Sequence, residues 1–355
     1  MSPAQFRLRL ALGGLFVGFS LLVLGVLAVW HDARTDTRPD VAGPVLPLWR
    51  EQASQARTLE IRTRDQHLVL RRQDGVWVLP SRGDYPALSN VMGELDEFLT
   101  TIHFETALTR DPDKYARLHI GEPNQGGYGL ALTIKDDKNQ ALVDVIFGTG
   151  ERNDGLYVRE RGGARVYRIS GNLPEGLNET DRWLGLDFLN IDPGTIARTR
   201  INPEDGPDYF LMKPGAGSRN FVLREPRGWR LLTAGAANGP AISSTRLRFR
   251  DVRPLSDFAD QIAVAHHNAV TFTGLSLDFD FYQVGQTRWV AVKAEGRSDD
   301  ASGMAMLINR RAEGWAFLVS EDAYERLARP LSDMAEYNPA RTFEDAAQSL
   351  STGNN

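Results

Sequence analysis

The sequence predicts an α+β protein: an N-terminal transmembrane helix, then two tandem repeats of a mainly antiparallel sheet with a packed helix. Three observations carry that prediction. Residues 10–30, "LALGGLFVGFSLLVLGVLAVW", run for 21 positions without a charge. Brief alternating apolar runs joined by glycine-containing turns fill most of the remaining chain. Landmarks in residues 57–190 recur in the same order in residues 196–338.

Residues 1–9 form a short head containing Arg7 and Arg9, read as cytoplasmic. At about 1.5 Å per helical residue the apolar run spans roughly 30 Å, the thickness of a hydrocarbon core. A cleaved signal peptide is the competing reading. Its apolar region is usually about 7–15 residues long and ends at a small-x-small site. Here the run is longer, and Trp30 stands where a small residue would be needed. Tryptophan favours the membrane–water boundary, so the segment reads as an uncleaved anchor. Arg34 and Arg38 on the far side leave the basic residues nearly balanced. The short head and long following domain favour a cytoplasmic N-terminus, with the rest translocated. In a Gram-negative cell that means a single-pass inner-membrane protein facing the periplasm.

Residues 31–56 read as a polar, proline-containing tether and a short helix, "LPLWREQASQA". In the first repeat, "RTLEIRT", "HLVLRR" and "GVWVLP" have strand character, the last two joined by a turn at Asp74-Gly75. Leu88, Val91, Met92, Leu95, Phe98, Leu99 and Ile102 come next at helical spacing, a stripe that packs on a sheet. "LALTI" and "ALVDVIF" read as a strand pair around "DDKNQ", and "LYVRERGGARVYRIS" as a hairpin with Gly162-Gly163 at its tip.

In the second repeat "GLALTI" at Gly129 is echoed by "GLSLDF" at Gly274. Trp77 matches Trp229, "PALS" at Pro86 matches "PAIS" at Pro240, and Phe104 matches Phe249. Residues 157–170 align without a gap on residues 307–320, ending at Ser170 and Ser320, and Leu177 then pairs with Leu327. The spacing shortens across the first repeat's helix, so the second repeat's helix should be shorter. Residues 339–355 read as a polar tail.

The formal net charge is −5, and the first 30 residues hold only Arg7 and Arg9, which leaves −7 beyond them. Such a body gains nothing from a nucleic-acid backbone. With no cysteine, thiolate metal sites and cysteine nucleophiles are excluded. His266, His267 and Asn268 could seed a metal site, but neighbours on a strand point to opposite faces and no metal-ligand spacing occurs, so surface or loop histidines are expected. "GTGERNDG", residues 148–155, lacks the Lys-Ser/Thr and the helix of a phosphate loop and reads as a hairpin loop. Asp278 and Asp280 in "DFDF" share one face of a strand, with Phe279 and Phe281 on the other. No Gly-x-Ser-x-Gly elbow is present, and Ser170 and Ser320 read as turn caps. No catalytic, cofactor-binding or metal-binding residue is assigned, and no cofactor is expected.

The segments "DGVWVLPSRGDYPALSNVMGELDEFLT", "TRDPDKYARLHIGEP" and "YVRERGGARVYRISGNLPEGLNETDRWLG" resemble the bacterial family called domain of unknown function 4340. The resemblance rests on Trp77, Tyr85-Pro86-Ala87, Asp111-Pro112 with Tyr115 and Leu118, and Tyr157-Val158-Arg159 with Val166. His119-Ile120-Gly121 departs from the Leu-Gly-Val type of sequence expected there. The likeness implies a single-pass envelope protein that accompanies an ABC transporter permease, its ATPase and a gliding-motility-type auxiliary subunit. It brings no catalytic residues. The function expected is a non-enzymatic accessory or scaffold subunit of an envelope ABC transport system. The alternatives are a periplasmic enzyme acting on envelope polymers or lipids, or a module binding a small ligand.

Overall fold

The structure, a computed structural model, describes residues 42–151 and 155–339. Among them no helix is long and apolar enough to cross a membrane; the expected anchor at residues 10–30 and the tail beyond residue 339 lie outside the described residues. The chain forms two compact units. One takes residues up to Val78 and then Ala87–Trp183, the other Leu79–Pro86 and everything from Leu184.

Nine strands make the first sheet: β1 (Thr58–Arg62), β2 (His67–Gln73), β3 (Val76–Leu79), β4 (Tyr85–Pro86), β5 (Phe104–Ala107), β6 (Leu130–Lys135), β7 (Ala141–Gly148), β8 (Leu156–Glu160) and β9 (Val166–Ile169). Their order is 4-3-2-1-6-7-8-9-5. The period-2 pattern puts Leu59 and Ile61 of β1 in the core with no exposure. Central β6 buries Ala131, Leu132, Thr133 and Ile134 in succession, so both of its faces are covered. Gln73 pairs with Val76 across a two-residue loop. Asp74 and Gly75 there have φ of 48° and 84°, the paired left-handed conformation that suits Asp-Gly and matches the strand twist. The helix Ser89–Thr101 buries Val91, Leu95, Phe98 and Leu99, and Phe98 meets Phe147 of β7 edge-on at 5.3 Å.

The second unit has β10 (Ile196–Asn202), β11 (Tyr209–Met212), β12 (Val222–Glu225), β13 (Trp229–Leu231), β14 (Asp251–Pro254), β15 (Ala265–Thr271), β16 (Leu275–Val284), β17 (Thr287–Gly296), β18 (Trp315–Val319) and β19 (Ala335–Tyr337). Eight of them form a sheet in the order 12-11-10-15-16-17-18-14, while β13 pairs with β19. Subtracting nine from each label of that sheet gives 3-2-1-6-7-8-9-5, the order of the first sheet without β4. The molecule is thus α+β with antiparallel ladders, and its two sheets are consistent with two copies of one module.

Strand order also shows which sequence landmarks are equivalent. Phe104 opens β5 and Phe249 lies just ahead of β14, while Ser170 and Ser320 come directly after β9 and β18. The echo between Gly129 and Gly274 is one strand out of step, because Gly129 precedes β6 and Gly274 precedes β16, the counterpart of β7. Trp77 in β3 and Trp229 in β13 are displaced in the same way. The two glycines answer different needs. Gly274 turns at φ 93°, whereas a side chain at Gly129 would come within 2.6 Å of the Gly121 carbonyl oxygen.

As expected, the short helix Asn238–Ile242 replaces the 13-residue helix of the first unit. A second expectation fails. The gapless match predicts a hairpin over residues 307–320, but the chain forms a 14-residue helix, Asp299–Ala312, before β18. Ser298 caps it by accepting from the Ala301 N–H, two aspartates occupy the first turn, and two arginines the last. Ala301, Ala305, Ile308 and Ala312 are its buried stripe. β18 pairs with β17 only from Arg288 to Ala291, so β17 runs on beyond it. Asn309 closes part of that gap: its carboxamide accepts from the Ala294 N–H at 2.9 Å and donates to the Ala294 carbonyl at 2.8 Å.

Asn309→Ala leaves both backbone groups of Ala294 without these bonds and is expected to lower stability by about 1–3 kcal/mol in denaturant unfolding. Asn309→Gln, whose longer side chain misplaces the same amide, should fall between the wild type and Asn309→Ala.

Candidate functional site

The motif of the first unit folds into one cluster. Ile120, Ala131, Ile146, Tyr157 and Val166 form a buried apolar floor, with Leu108, Tyr115 and Leu118 packed against it. Arg159 of β8 sits on this floor, 4% exposed. Its guanidinium donates to the Ile120 carbonyl, to the Gly163 carbonyl at 2.8 Å and to Glu122 Oε1 at 3.1 Å, and lies 4.9 Å from the centre of the Tyr115 ring. Glu122 also pairs with Arg161 at 3.3 Å. The Tyr115 hydroxyl donates to the Ala164 carbonyl at 2.6 Å, and burial pushes its pKa up. Asp111 accepts from the Asp113 N–H and starts the short turn that delivers Tyr115. These groups neutralise and hydrogen-bond one another, which is how a buried arginine is tolerated. His119 adopts a positive φ of 50° in the turn that departs from the family pattern, and Ile120 beside it is fully buried.

Glycine 148 opens the loop that could have cradled a phosphate. A side chain there would lie 2.3 Å from the carbonyl oxygens of Leu118 and His119, so this glycine serves close backbone packing. The facing carbonyls are acceptors and would repel an anion. β7 and β8 on either side pair as an antiparallel hairpin.

In the second unit, the Tyr85 of "YPA" is buried against Trp315, at 4.9 Å and edge-on, and against Phe317. The Arg311 guanidinium stacks 4.7 Å from the Tyr85 ring centre and donates to the carbonyls of Pro86 and Leu184. The Tyr85 hydroxyl donates to the Arg311 carbonyl, and burial pushes its pKa up to about 12. Arg82 pairs with Asp251 of β14 at 2.5 Å. Gly83, at φ 67°, passes so close to Pro254 that no side chain would fit.

The remaining sequence candidates separate. His266 is exposed and contacts Asp280 at 2.6 Å. His267 corrects the expectation of surface histidines: it is buried on the opposite face, its Nδ1 against the Leu327 carbonyl at 2.9 Å and its Nε2 without a hydrogen-bond partner among the described residues. β15 is interior to its sheet, which sequence position alone does not reveal. Burial pushes the His267 pKa down to about 4. Asp278 accepts from Asn268 at 2.6 Å, and Phe279 and Phe281 enter the core as the alternation requires. Asp278 and Asp280 border a cavity of about 270 Å³ with Lys293, Glu313 and Trp315. Among the described residues no three potential metal ligands gather.

A second polar centre has no motif in the sequence. Arg288 bonds to Glu204 at 3.0 Å and Gln283 at 2.8 Å and lies 4.0 Å from the Tyr324 ring centre. The Tyr324 hydroxyl donates to Glu204 at 2.7 Å, and burial raises its pKa. Glu204, Arg288 and Tyr324 line a cavity of about 530 Å³ with Arg326, Arg329 and Asp333. Glu204 and Tyr324 come from distant parts of the chain, whereas Gln283 faces Arg288 across the β16–β17 hairpin, and the helix Glu321–Leu327 is locally legible from its Ser320 cap.

A family model described as domain of unknown function (DUF4340) matches residues 77–264. No curated protein and no solved structure matches the chain.

This geometry has two measurable outcomes. Arg159→Ala leaves Glu122 with Arg161 alone, takes the donor from the Ile120 and Gly163 carbonyls and removes the cover of Tyr115, and should cost about 1–3 kcal/mol in chemical unfolding. His267 stays neutral when folded, whereas the unfolded chain takes up its proton below about pH 6.5. Its contribution to stability is therefore complete above that pH and falls as pH drops toward 4, by on the order of 3 kcal/mol. Comparing unfolding of the wild type and His267→Phe between pH 7 and 4 checks this; the variant should lack that component of the slope.

Proposed function

Since the chain belongs to the family called domain of unknown function 4340, we propose that it is a membrane-anchored, non-enzymatic accessory or scaffold subunit of an envelope ABC transport system. Residues 10–30 are its single span in the inner membrane, the N-terminus is cytoplasmic, and two copies of one α+β module stand in the periplasm. The observation that carries this reading is the employment of the motif. Tyr85, Asp111, Tyr115, Leu118, Tyr157, Arg159 and Val166 are engaged in packing, capping and charge neutralisation within their own units. A family whose signature builds the module, with no reacting group set apart, suits a part that positions other proteins.

The chain leading from the anchor supports the same reading. The Phe104 N–H donates to the Gly43 carbonyl and the Val45 N–H to the Ile102 carbonyl, which fastens residues 43–45 beside β5. About a dozen residues then separate Trp30 from the sheet, a reach of at most ~40 Å. Such confinement raises effective concentration near the bilayer, so modest contacts suffice for assembly. The permease and a gliding-motility-type auxiliary subunit are the proposed partners. The apolar run can pack on a permease helix, and β12, which among the described residues pairs only with β11, offers a strand edge.

A module binding a small envelope ligand is the second reading, favoured by the cavity at Glu204, Arg288 and Tyr324. A true ligand among envelope glycans or lipids would raise the melting temperature by mass action.

Crosslinking intact cells, solubilising the membranes and capturing the full chain should recover the permease and ATPase. Recovery of neither, or finding the mature chain in the soluble fraction, overturns the proposal.

A further inference from the structure

The helix Asp299–Ala312 buries one stripe and leaves another uncovered. Along its outer side Asp299, Gly303, Met306 and Arg310 succeed one another at spacings of four, three and four residues, so they form one line. All four are exposed, Met306 at 64%, and Leu307 beside them is 56% exposed. Among the described residues no contact requires a glycine at position 303. Nothing lies within 4 Å of where its side chain would be, its φ is not in the left-handed region, and glycine inside an exposed helix costs about 1 kcal/mol relative to alanine. Neither Asp299 nor Arg310 has an ion-pair partner among the described residues.

The line reads the same in both directions when charges are exchanged for their complements. The midpoint between positions 299 and 310 is also the midpoint between 303 and 306. We propose that this face docks on the same face of a second copy of the chain, the two helices antiparallel about a two-fold axis at that midpoint. Each Met306 then seats over the partner's Gly303, and each Asp299 meets the partner's Arg310. A two-fold contact demands a patch complementary to itself, and a line with an acid at one end, a base at the other and a hole beside a knob in the middle meets that demand. The glycine admits the close approach that a side chain would block. One pair of 14-residue helices covers less than the roughly 1,200 Å² of a standard stable interface, so the pairing is weak and sensitive to salt.

The chain itself supplies a test in which helix stability cancels. Full-length protein is produced in two tagged forms, purified in detergent without other membrane components, and captured on one tag while the other is quantified. Wild type should co-capture. Asp299→Arg alone, which opposes arginine to arginine, and Arg310→Asp alone, which opposes aspartate to aspartate, should each lose at least tenfold. Mixing the two single variants restores both ion pairs and should recover co-capture, although each helix is no more stable than before. Absence of co-capture by wild type overturns the proposal, as does a mixture recovering no more than either variant alone.

Discussion

Antiparallel sheets of eight or nine strands end in edges whose N–H and C=O groups need partners, and the arrangement of this chain depends on how those edges are closed. Beside β5 the closing segment is residues 43–45, taken from the end of the tether. Beside β14 the stretch containing Arg82 and Gly83 covers the edge through the Arg82–Asp251 ion pair and the close approach of Gly83 to Pro254. Where β17 outruns β18 the closure is a single side chain, the carboxamide of Asn309, which supplies one donor and one acceptor as a strand residue would. β12 ends with exposed Arg224 and Glu225, charges that blunt an edge without covering it. Backbone, side chains and exposed charge thus each protect a different edge.

The same requirement explains what could be read in advance. Local devices are legible: Asp74-Gly75 specifies its turn, the 3.6-residue spacing from Val91 to Leu99 specifies a helix, and "DFDF" specifies which side chains face inward. Both sheets were foreseeable as antiparallel because short alternating runs with tight turns can pair in few other ways. What escaped depends on contacts distant in sequence. The burial of His267 results from β15 lying inside its sheet, and the Arg288 centre joins positions 204, 283, 288 and 324. The helix Asp299–Ala312 was hidden for another reason: a gapless match imposed the first unit's hairpin on a segment whose Ser-Asp-Asp start and alanine stripe are good helix signals.

The slipped landmarks teach something more specific. A glycine before an alternating apolar run describes nearly any half-buried strand, so Gly129 and Gly274 matched in sequence without matching in place. Landmarks at the ends of the sheet, Phe104 with Phe249 and Ser170 with Ser320, kept their places because each marks entry into or exit from an element. Strand order is the stricter witness to duplication, since it does not depend on which side chains survive.

Residues 79–86 belong to the second unit although they precede most of the first in the chain. Tyr85 is synthesised more than two hundred residues before Arg311 and Trp315, and Arg82 169 residues before Asp251. On a nascent chain Arg82 has no Asp251 to pair with until that residue is made, and the Tyr85 ring lacks its neighbours until residues 311–317 are made. The Tyr85 contacts of the second unit therefore form late in synthesis, after the residues of the first unit have all been made.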